Sequence, residues 1–545
     1  MQSVSGNYWD EIFISKRIID KVRNDLNFSE FLSKLIISRQ FDQLEIDSIN
    51  QDIQLINPFL SNKDFKDAKN ILDNSLTKNE KILVIGDYDV DGCISTSLLV
   101  KFFKLINKKI HYYIPNRYTD GYGASLKLIK KLVKKKPELI IMVDCGSNSN
   151  ETIKFLNELK IKTLIIDHHE IYSPYPKAKC LINPKKKCDY NELDYFCSSS
   201  LVYFFIDYFL IKNKLDIKFT DNLIYVLLAT ICDVMPLRKI NRLIAINELK
   251  KFDINKNYLF KQILSFKKIK RPFEVEDLGF LIGPILNVSG RINDANIVVK
   301  LLTTSDNSIK DKIIKEFILL NEKRKIIENE SIKEINFDKI IKKKDNVLVE
   351  HEYIINEGLI GIIASRLKDY FNKPTIILTK STNGYKASAR STLDFNIGEH
   401  IKHCIDKKII ISGGGHNLAA GFLIQRNNIS KLQNYMNNAF IKNSSNKSKI
   451  YLSKISLNSI NEKFYNDIKK AGPFGNSNIN PYFLIEKLVI INPKIIKNKF
   501  INFFVKSKSG KLIPGVSFNL LESQISKNLL YFKKEIDLIV QIKEN

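Results

Sequence analysis

The sequence predicts an α/β protein with two α/β lobes joined by a long helix, followed by a small β-barrel. In the first part of the chain, short apolar runs of strand length alternate with stretches of helical spacing. A long charged helical stretch over residues 306–344 then leads to a second α/β region at about 346–440. After a polar linker at 442–449, strand-like runs alternate with turns, which indicates a small β-barrel.

The first lobe is predicted to contain a parallel sheet. Four apolar runs have strand length, at 81–86, 110–114, 139–143 and 164–166. Three stretches between them have helical spacing, at 95–105, 124–133 and 152–159. Strands and helices that alternate in this way form parallel sheets with helical crossovers. Because such sheets carry their chemistry at the carboxyl ends of the strands, a site is expected at that edge.

The composition favours a nucleic-acid partner. The chain has 545 residues, enough for three or four domains. Its 86 basic and 59 acidic residues give a net charge of +27, which attracts polyanions. General enrichment in Lys, Ile and Asn is an alternative source of that charge. The apolar runs are too short to span a membrane and the N-terminus does not resemble a secretory signal, so we expect a cytoplasmic protein. Seven scattered cysteines without a CxxC pair argue against a zinc site or a disulfide framework.

Acidic side chains and histidines follow three of the four predicted strands, and one more acid ends a later helical run. They are Asp87, Asp89, Asp91, Asp144, Asp167, His168, His169 and Asp233. At one edge of a parallel sheet, unpaired carboxylates would raise each other's pKa values. Oxygen and nitrogen ligands without a thiolate suit Mg²⁺ or Mn²⁺. Five or six ligands exceed the need of one ion, so we expect two ions and phosphoester hydrolysis.

These acids have two other possible interpretations. The DxDxDG run at 87–92 resembles the opening of a calcium-binding EF-hand loop, but its twelfth position is Leu98 and a strand precedes it. Each Asp could instead cap the helix that follows it. The full set, with two adjacent histidines, favours a metal centre over both.

Candidate phosphate-binding residues in the first lobe lie outside the acidic set. Arg117 follows the second strand, where its guanidinium could bind a phosphate. Asn287 and Arg291 lie in a glycine-flanked stretch at 283–291, which we predict to be an anion-binding loop. The alternatives are a surface ion pair for Arg117 and an ordinary turn for the loop.

The second α/β region offers further candidates. Ser388 and Arg390 supply side-chain donors. Residues 412–421 are predicted to form a glycine-rich loop that enters a small-residue helix, so that its N–H groups approach a phosphate. The candidate residues in this loop are Gly414, Gly415 and His416. The alternative is a tight turn under close helix packing.

Taken in order, these motifs resemble the DHH phosphoesterase superfamily, and within it the exonucleases specific for single-stranded DNA. The motifs are GDYDVDG at 86–92, IPNR at 114–117, VDCG at 143–146, DHH at 167–169, DVMPL at 233–237, and the stretches 283–291, 358–366, 388–391 and 413–421. Any one of them is modest evidence, whereas the ordered set is highly specific.

The resemblance implies 5′-to-3′ degradation of single-stranded DNA in repair and recombination, with two Mn²⁺ or Mg²⁺ ions. By this likeness the metal ligands would be Asp87, Asp89, Asp91, Asp144, His168 and Asp233. His169 would contact the scissile phosphate, and the 5′ end would be held by Arg291, Ser388 and Arg390, with Arg117 as a further contact. A single-stranded-DNA-binding protein and a helicase are the expected partners of a monomer. The alternatives are a hydrolase of short oligonucleotides or cyclic dinucleotides, and a non-catalytic scaffold that binds single strands.

The resemblance also implies a domain order. The expected segments are an N-terminal helical region at 1–70, a DHH domain at 71–250, a phosphate-contact segment with the connecting helix at 251–345, a DHH-associated domain at 346–441, and an OB-fold at 450–545. In that OB-fold, Phe500, Phe503 and Phe504 lie among lysines, as base-stacking aromatics would; strand-core positions are the alternative.

Three features depart from the family pattern. Asn356 stands where the family has a His, which puts the role of that His in doubt. The stretch at 197–200 is CSSS and contains no glycine, unlike the corresponding family stretch. The barrel is also one strand short in sequence, so we expect a looser hold on long single strands and weaker processivity than is usual for the family.

Overall fold

The computed structural model describes residues 1–544 except 118, 122, 188, 189, 293, 352, 354, 382, 383, 393, 444–447, 520, 522 and 533. The part of the chain that it describes divides into two units. One unit comprises residues 51–330 and 475–477, and the other comprises 1–50, 331–474 and 478–545. The linker predicted at 442–449 lies partly outside the described residues. Among the described helices, none is long and apolar enough to cross a lipid bilayer.

The first fifty residues belong to the same unit as the C-terminal domain. Their elements are β1 (Trp9–Glu11), α1 (Lys16–Leu26), α2 (Glu30–Arg39) and α3 (Gln43–Asn50). Leu32 and Ile36 of α2 share a buried cluster with Phe464 and Phe483 of the C-terminal domain. The predicted helical region 1–70 is therefore divided between the two units after residue 50.

A five-stranded parallel sheet forms the centre of the unit 51–330. Its strands are β2 (Ile82–Ile85), β3 (His111–Tyr113), β4 (Leu139–Val143), β5 (Lys162–Ile166) and β6 (Cys180–Ile182). They lie in the order β3-β2-β4-β5-β6, and every neighbouring pair is parallel. The predicted parallel sheet is confirmed, with β6 as an additional edge strand.

Helices cover both faces of this sheet. They are α4 (Lys63–Thr77), α5 (Val90–Leu105), α6 (Leu126–Leu132), α7 (Asn150–Glu158), α8 (Ser198–Lys212), α9 (Leu223–Cys232), α10 (Lys239–Lys251), α11 (Tyr258–Phe266), α12 (Val275–Asp277), α13 (Gly283–Ile292), α14 (Asn296–Thr303) and α15 (Asn307–Glu334). Alternate strand residues enter two cores: Ile141 packs in the cluster with α5, α8 and α9, and Ile140 packs in the cluster with α6 and α7. Because both faces of the sheet are buried, the sequences of its strands are continuous apolar runs.

The stretch 283–291 is a helix, so the prediction of an anion-binding loop there was wrong. Ile285, Leu286 and Val288 have helical spacing and are at most 1% exposed, so burial of this face stabilises α13. Gly290 is needed because a Cβ at this position would lie 2.1 Å from the Tyr88 carbonyl oxygen. The glycines of this stretch allow the helix to pack closely against its neighbours, and they do not mark a turn.

A second, mixed sheet forms the core of the region 331–443. Its helices are α16 (Phe337–Lys343), α17 (Ile360–Phe371), α18 (Ile397–Asp406) and α19 (Ile429–Asn443). Its strands are β7 (Leu348–Glu350), β8 (Thr375–Ser381), β9 (Gly384–Arg390), β10 (Ser412–His416) and β11 (Ala419–Ile424), in the order β10-β11-β9-β8-β7. The charged stretch predicted as one helix over 306–344 is interrupted between α15 and α16, where the Asn336 side chain caps α16.

Residues 412–421 form a β-hairpin, so the predicted loop and small-residue helix were wrong there. In the antiparallel β10–β11 pair, Gly413 lies opposite Phe422 and Gly415 opposite Ala420. A Cβ on either glycine would come within 2.4 Å of a side-chain atom of the opposite strand. The small residues therefore permit close cross-strand contact, so the alternative of a tight turn under close helix packing does not apply either.

The C-terminal domain is built on a five-stranded sheet. Its elements are β12 (Lys449–Tyr451), β13 (Ser453–Lys454), α20 (Glu462–Lys470), β14 (Tyr482–Ile496), β15 (Phe500–Lys506), β16 (Leu512–Ser517), α21 (Gln524–Tyr531) and β17 (Ile536–Gln541). The sheet order is β13-β14-β15-β16, with β17 also paired to β14. Because strand residues alternate between faces, Phe503 is buried while Phe504 is 44% exposed. Phe503 is thus a core residue, as the alternative interpretation held.

Candidate metal centre

The acids and histidines predicted at the strand ends lie together at the carboxyl edge of the parallel sheet. Asp87 follows β2, Asp144 follows β4, and His168 and His169 follow β5. Asp87, Asp144 and His168 are all at least 95% buried. The convergence that was predicted from the parallel strand order is therefore present.

The turn from β2 into α5 positions three of the acids. Asp89 is the N-cap of α5, where its side chain accepts a 3.0 Å hydrogen bond from the Gly92 N–H. The capping interpretation therefore holds for Asp89, while Asp91 lies buried in the first turn of the helix. Gly92 allows this tight turn, because a Cβ would lie 2.5 Å from the backbone N and O atoms of Asp87.

His168 lies among acids that come from three different elements. Its Nε2 atom is 3.3 Å from an Asp233 oxygen, 3.4 Å from an Asp144 oxygen and 3.8 Å from an Asp91 oxygen. Asp233 enters the site from the C-terminal end of α9, where it is the C-cap residue. The helical run that was predicted to end in this acid is therefore confirmed.

Three overlapping groups within this cluster have the spacing of metal ligands. They are Asp87, Asp89 and Asp144; Asp91, His168 and Asp233; and Asp144, His168 and His169. Within each group, one donor atom per residue lies within 4.8 Å of the others. Asp144 and His168 belong to two groups each, an arrangement that fits two neighbouring ions with shared ligands.

Uncompensated negative charge makes this cluster electrostatically unfavourable without a cation. Burial, and then the charge of Asp89, raise the pKa of Asp87 to about 8. Burial and the charge of Asp91 raise the pKa of Asp144 well above its usual value. Within the described part of the chain, Asp87 Oδ1 and Asp144 Oδ2 are buried without a hydrogen-bond partner. Since the donors are oxygens and imidazole nitrogens, the residues fit Mn²⁺ or Mg²⁺.

Asp167 orients His169, a role that the sequence did not reveal. Its Oδ1 atom accepts a 2.8 Å hydrogen bond from His169 Nδ1, and its Oδ2 atom accepts one of 3.0 Å from the Ser147 N–H. Burial opposes the charge on both side chains, but their mutual attraction is stronger. As a result, the pKa of Asp167 lies below its usual value and that of His169 is raised to about 9.

The N-terminus of α8 supplies hydrogen-bond donors to the acids, which sequence reasoning also missed. The N–H groups of Ser198 and Ser199 donate to the two carboxylate oxygens of Asp91, each at 2.8 Å. The Ser198 hydroxyl donates to Asp144 Oδ1 at 2.9 Å. In the sequence, the run of small polar residues at the start of an apolar helix could have indicated these donors.

A three-residue segment, Gly475–Ser477, supports the loop that follows Asp233. The Leu237 N–H donates to the Asn476 carbonyl at 2.8 Å, and the Asn476 side-chain amide donates to the Val234 carbonyl. Val234 has a left-handed backbone (φ 55°), so this contact holds a constrained turn beside a site acid. Nothing in the sequence predicts this long-range contact.

Arg117 lies beside the acidic motif in the same unit. Its Nε atom donates to the Gly290 carbonyl at 3.1 Å, and its guanidinium lies 4.1 Å from the centre of the Tyr88 ring. Asn287 and Arg291 lie on α13, each partly exposed. Arg117 and α13 therefore contact the segment that carries Asp87, Asp89 and Asp91.

The remaining predicted residues lie in the other unit. Arg390 Nη1 donates to Ser388 Oγ at 3.2 Å, and both side chains lie on one face of β9. Gly361 of α17 packs against them, since a Cβ there would be 3.0 Å from each side chain. Gly414, Gly415 and His416 all lie on β10, with Gly414 and His416 exposed.

Family models match three segments of the chain. They are the DHH family N-terminal domain at residues 81–231, the DHHA1 domain at 344–442 and the RecJ OB domain at 453–545. The single-stranded-DNA-specific exonuclease RecJ of Bacillus subtilis is 29% identical over 525 residues, which are 93% of this chain and 65% of that relative. The chain thus spans about two thirds of the length of this relative.

Two further relatives match over most of the chain. The Haemophilus influenzae RecJ is 28% identical, with 83% of each chain covered. The crystal structure of Thermus thermophilus RecJ in complex with Mn²⁺ matches with a TM-score of 0.80 at 18% identity, covering 99% of this chain and 77% of that one, and shows a shared fold. With DHH, DHHA1 and RecJ OB domains in this order on one chain, the protein belongs to the RecJ family of DHH phosphoesterases.

Proposed function

We propose that the protein is a single-stranded-DNA-specific exonuclease that hydrolyses phosphodiester bonds from the 5′ end. The observation that carries the proposal is the buried cluster of acids and histidines, whose ligand spacing and unpartnered oxygens fit a two-cation site. Several relatives named as single-stranded-DNA-specific exonucleases support the choice of substrate. The net charge of +27 suits a polyanionic substrate.

Six residues would hold two Mn²⁺ or Mg²⁺ ions: Asp87, Asp89, Asp91, Asp144, His168 and Asp233. Crystal structures of the Thermus thermophilus relative contain one or the other of these metals. When bound, two such ions activate the attacking water and stabilise the leaving oxygen in phosphodiester hydrolysis. The protein's part is to bring these ligands from several elements to one edge of the sheet.

His169 would serve as the catalytic group that is not a metal ligand. Asp167 engages its Nδ1 atom, and we assign to Nε2 the donation of a hydrogen bond to an oxygen of the scissile phosphate. Burial opposes a charge on His169, but Asp167 raises its pKa above the usual value and so favours the charged ring. A charged donor stabilises the negative charge that develops on the phosphate.

We assign binding of the 5′ phosphate and of the nearby DNA backbone to two groups of residues. Arg117, Asn287 and Arg291 belong to the unit with the metal centre. The other unit contributes Ser388, Arg390, Gly414, Gly415 and His416. Recognition of a terminal phosphate would give the enzyme its polarity, since one end of the strand is bound and the bond to be cleaved lies a fixed distance away.

The proposal extends to the cellular setting. We assign the enzyme to DNA repair and recombination in the cytoplasm, acting as a monomer with a single-stranded-DNA-binding protein and a helicase as partners. The domain limits given above, at 70, 250, 345 and 441, belong to the same proposal.

Digestion of four end-labelled substrates by the purified protein with Mn²⁺ tests the function. The substrates are 5′-phosphorylated single-stranded DNA, the same strand with a blocked 5′ end, blunt duplex and a dinucleotide. We expect only the unblocked strand to be degraded, from its 5′ end, and an Asp89→Ala/Asp91→Ala variant to be inactive. Cleavage of the dinucleotide alone would instead indicate a small-substrate hydrolase. Tight binding of single strands without cleavage would indicate a scaffold.

A further inference from the structure

Ser198, the first residue of α8, contacts two acids of the metal centre that come from different elements. Its N–H donates to Asp91 Oδ2 at 2.8 Å, and its Oγ donates to Asp144 Oδ1 at 2.9 Å. Asp91 lies in the first turn of α5, whereas Asp144 follows β4. All three side chains are at most 1% exposed. The residue therefore links two ligand-bearing elements in a region without solvent.

The two carboxylate oxygens of Asp144 differ in their hydrogen bonding. Oδ1 accepts from Ser198 Oγ, while Oδ2 is buried and has no hydrogen-bond partner in the described part of the chain. Asp144 also has a left-handed backbone (φ 60°), a conformation that is uncommon for a residue other than glycine. Oδ1 also lies 3.4 Å from His168 Nε2, so a donor on this oxygen restrains the rotation of the carboxylate beside another proposed ligand, while both oxygens keep lone pairs for cations.

We propose that Ser198 is a positioning residue of the metal centre, which holds the Asp144 carboxylate in its metal-binding orientation. The inference rests on the proposed function, because it concerns how that function's metal site is held. Hydrogen bonds from residues behind the ligands orient them, and their loss typically weakens metal binding about 10- to 100-fold. Without the Ser198 hydroxyl, Asp144 Oδ1 would lose its donor, and the carboxylate would rotate among several orientations.

The neighbouring serines provide a matched comparison within one helical turn. Ser198, Ser199 and Ser200 are all 0% exposed. The Ser199 hydroxyl donates to the Asp91 backbone carbonyl and contacts Ser95 Oγ. The Ser200 hydroxyl contacts Cys197 Sγ at 3.4 Å. The Ser198 hydroxyl thus reaches an oxygen of Asp144, whereas the Ser200 hydroxyl contacts a thiol, so Ser200 is the matched control.

Titration of the full-length, metal-stripped protein with Mn²⁺, without DNA, tests the inference. Isothermal calorimetry would compare the wild type, Ser198→Ala and Ser200→Ala, and thermal denaturation in EDTA would report the folding of each. A second measurement would determine the Mn²⁺ concentration for half-maximal activity and kcat at saturating Mn²⁺. We expect Ser198→Ala to weaken Mn²⁺ binding about 10-fold or more, to raise the half-maximal concentration to match, and to recover most of kcat at saturation. Ser200→Ala should bind Mn²⁺ as the wild type does.

The outcomes separate this inference from the function on which it rests. Binding of Mn²⁺ by Ser198→Ala within twofold of the wild type would overturn the inference and leave the proposed function standing. Equal weakening by Ser198→Ala and Ser200→Ala would also overturn it, because the effect would then come from packing of α8. A wild type that binds no Mn²⁺ would overturn the proposed function, and the inference with it.

Discussion

At the scale of single residues, Asp144 shows that residues of the metal centre lower the stability of the metal-free protein. Its carboxylate is buried, one of its oxygens has no described hydrogen-bond partner, and its backbone is left-handed. Each feature costs free energy in the metal-free protein. Features of this kind persist where function requires them, and here a bound cation would offset the buried charge.

Asp144→Asn should therefore stabilise the metal-free protein while abolishing activity. Asparagine keeps the shape of the side chain but removes the charge that burial and Asp91 oppose. We expect the melting temperature in EDTA to rise by about 2–4 °C, as for a gain of about 1 kcal/mol, and cleavage to fall on the order of 10³-fold. Asp221→Asn, at a side chain 79% exposed, is the control and should change neither value. A lower melting temperature for Asp144→Asn would contradict this explanation.

The raised pKa of Asp87 predicts that Mn²⁺ binds more tightly as the pH increases. A ligand carboxyl must lose its proton before it coordinates, so affinity should rise as the pH increases through about 8, the pKa of Asp87. The raised pKa of Asp87 has the opposite effect on the stability of the metal-free protein, which decreases as the pH rises. A folded pKa above the unfolded value stabilises the fold at low pH, and this contribution is lost as the pH rises through about 8. Calorimetry at three pH values from 6.5 to 8.5 checks the first statement; a constant affinity would refute it.

Most residues of the site could be predicted from the sequence, and the exceptions share a physical cause. Asp87, Asp144 and His168 follow apolar runs, and parallel strands bring their carboxyl ends to one edge. Ser198 and Asp167 act through hydrogen bonds to other side chains. Such contacts depend on how elements pack, which no local pattern encodes.

At the scale of elements, glycines decide how closely the segments around the site approach one another. Gly92 lets α5 begin directly against the Asp87 backbone, and Gly290 lets α13 approach Tyr88. The sequence predicted the strands of the parallel sheet because burial on both faces makes them continuous apolar runs. It failed at 283–291 and 412–421, where glycines permit close packing of a helix and a hairpin instead of forming loops.

Gly92→Ala should destabilise the unit that holds the metal centre. The added methyl group would lie 2.5 Å from backbone atoms of Asp87, which cannot move without displacing β2 or α5. We expect a loss of about 1–3 kcal/mol, as is usual for overpacking, together with weaker Mn²⁺ binding. Gly421→Ala is the matched control, since the nearest atom to its methyl group would be 3.8 Å away. Equal melting temperatures for the two variants would show that the Gly92 turn tolerates a side chain.

At the scale of the whole molecule, charge and domain order point to one kind of substrate. The chain carries a net charge of +27 and has DHH, DHHA1 and RecJ OB domains in sequence. The exposed Phe504 beside Lys506 on β15 combines an aromatic ring with a cation, as in proteins that bind single strands. Electrostatic attraction to phosphates should therefore supply much of the affinity.

Binding of single-stranded DNA should accordingly weaken steeply with salt. If about five phosphates are neutralised, raising NaCl from about 50 to 200 mM should reduce affinity on the order of 100-fold. Fluorescence anisotropy with a labelled oligonucleotide and the inactive Asp89→Ala/Asp91→Ala variant measures this without cleavage. The melting temperature over the same range serves as the control for folding. A change in affinity of less than about threefold would show that contacts other than phosphate dominate.

The most direct test of the central claim is the metal dependence of cleavage. The protein would be stripped of metal with EDTA and dialysed, and Mn²⁺ would then be titrated against 5′-phosphorylated, 3′-labelled single-stranded DNA. We predict no cleavage without metal, saturable recovery as Mn²⁺ is added, and no recovery in Asp144→Asn at any Mn²⁺ concentration. Cleavage by the stripped protein, or full recovery in Asp144→Asn, would contradict the claim that the acidic cluster is the metal centre of a nuclease.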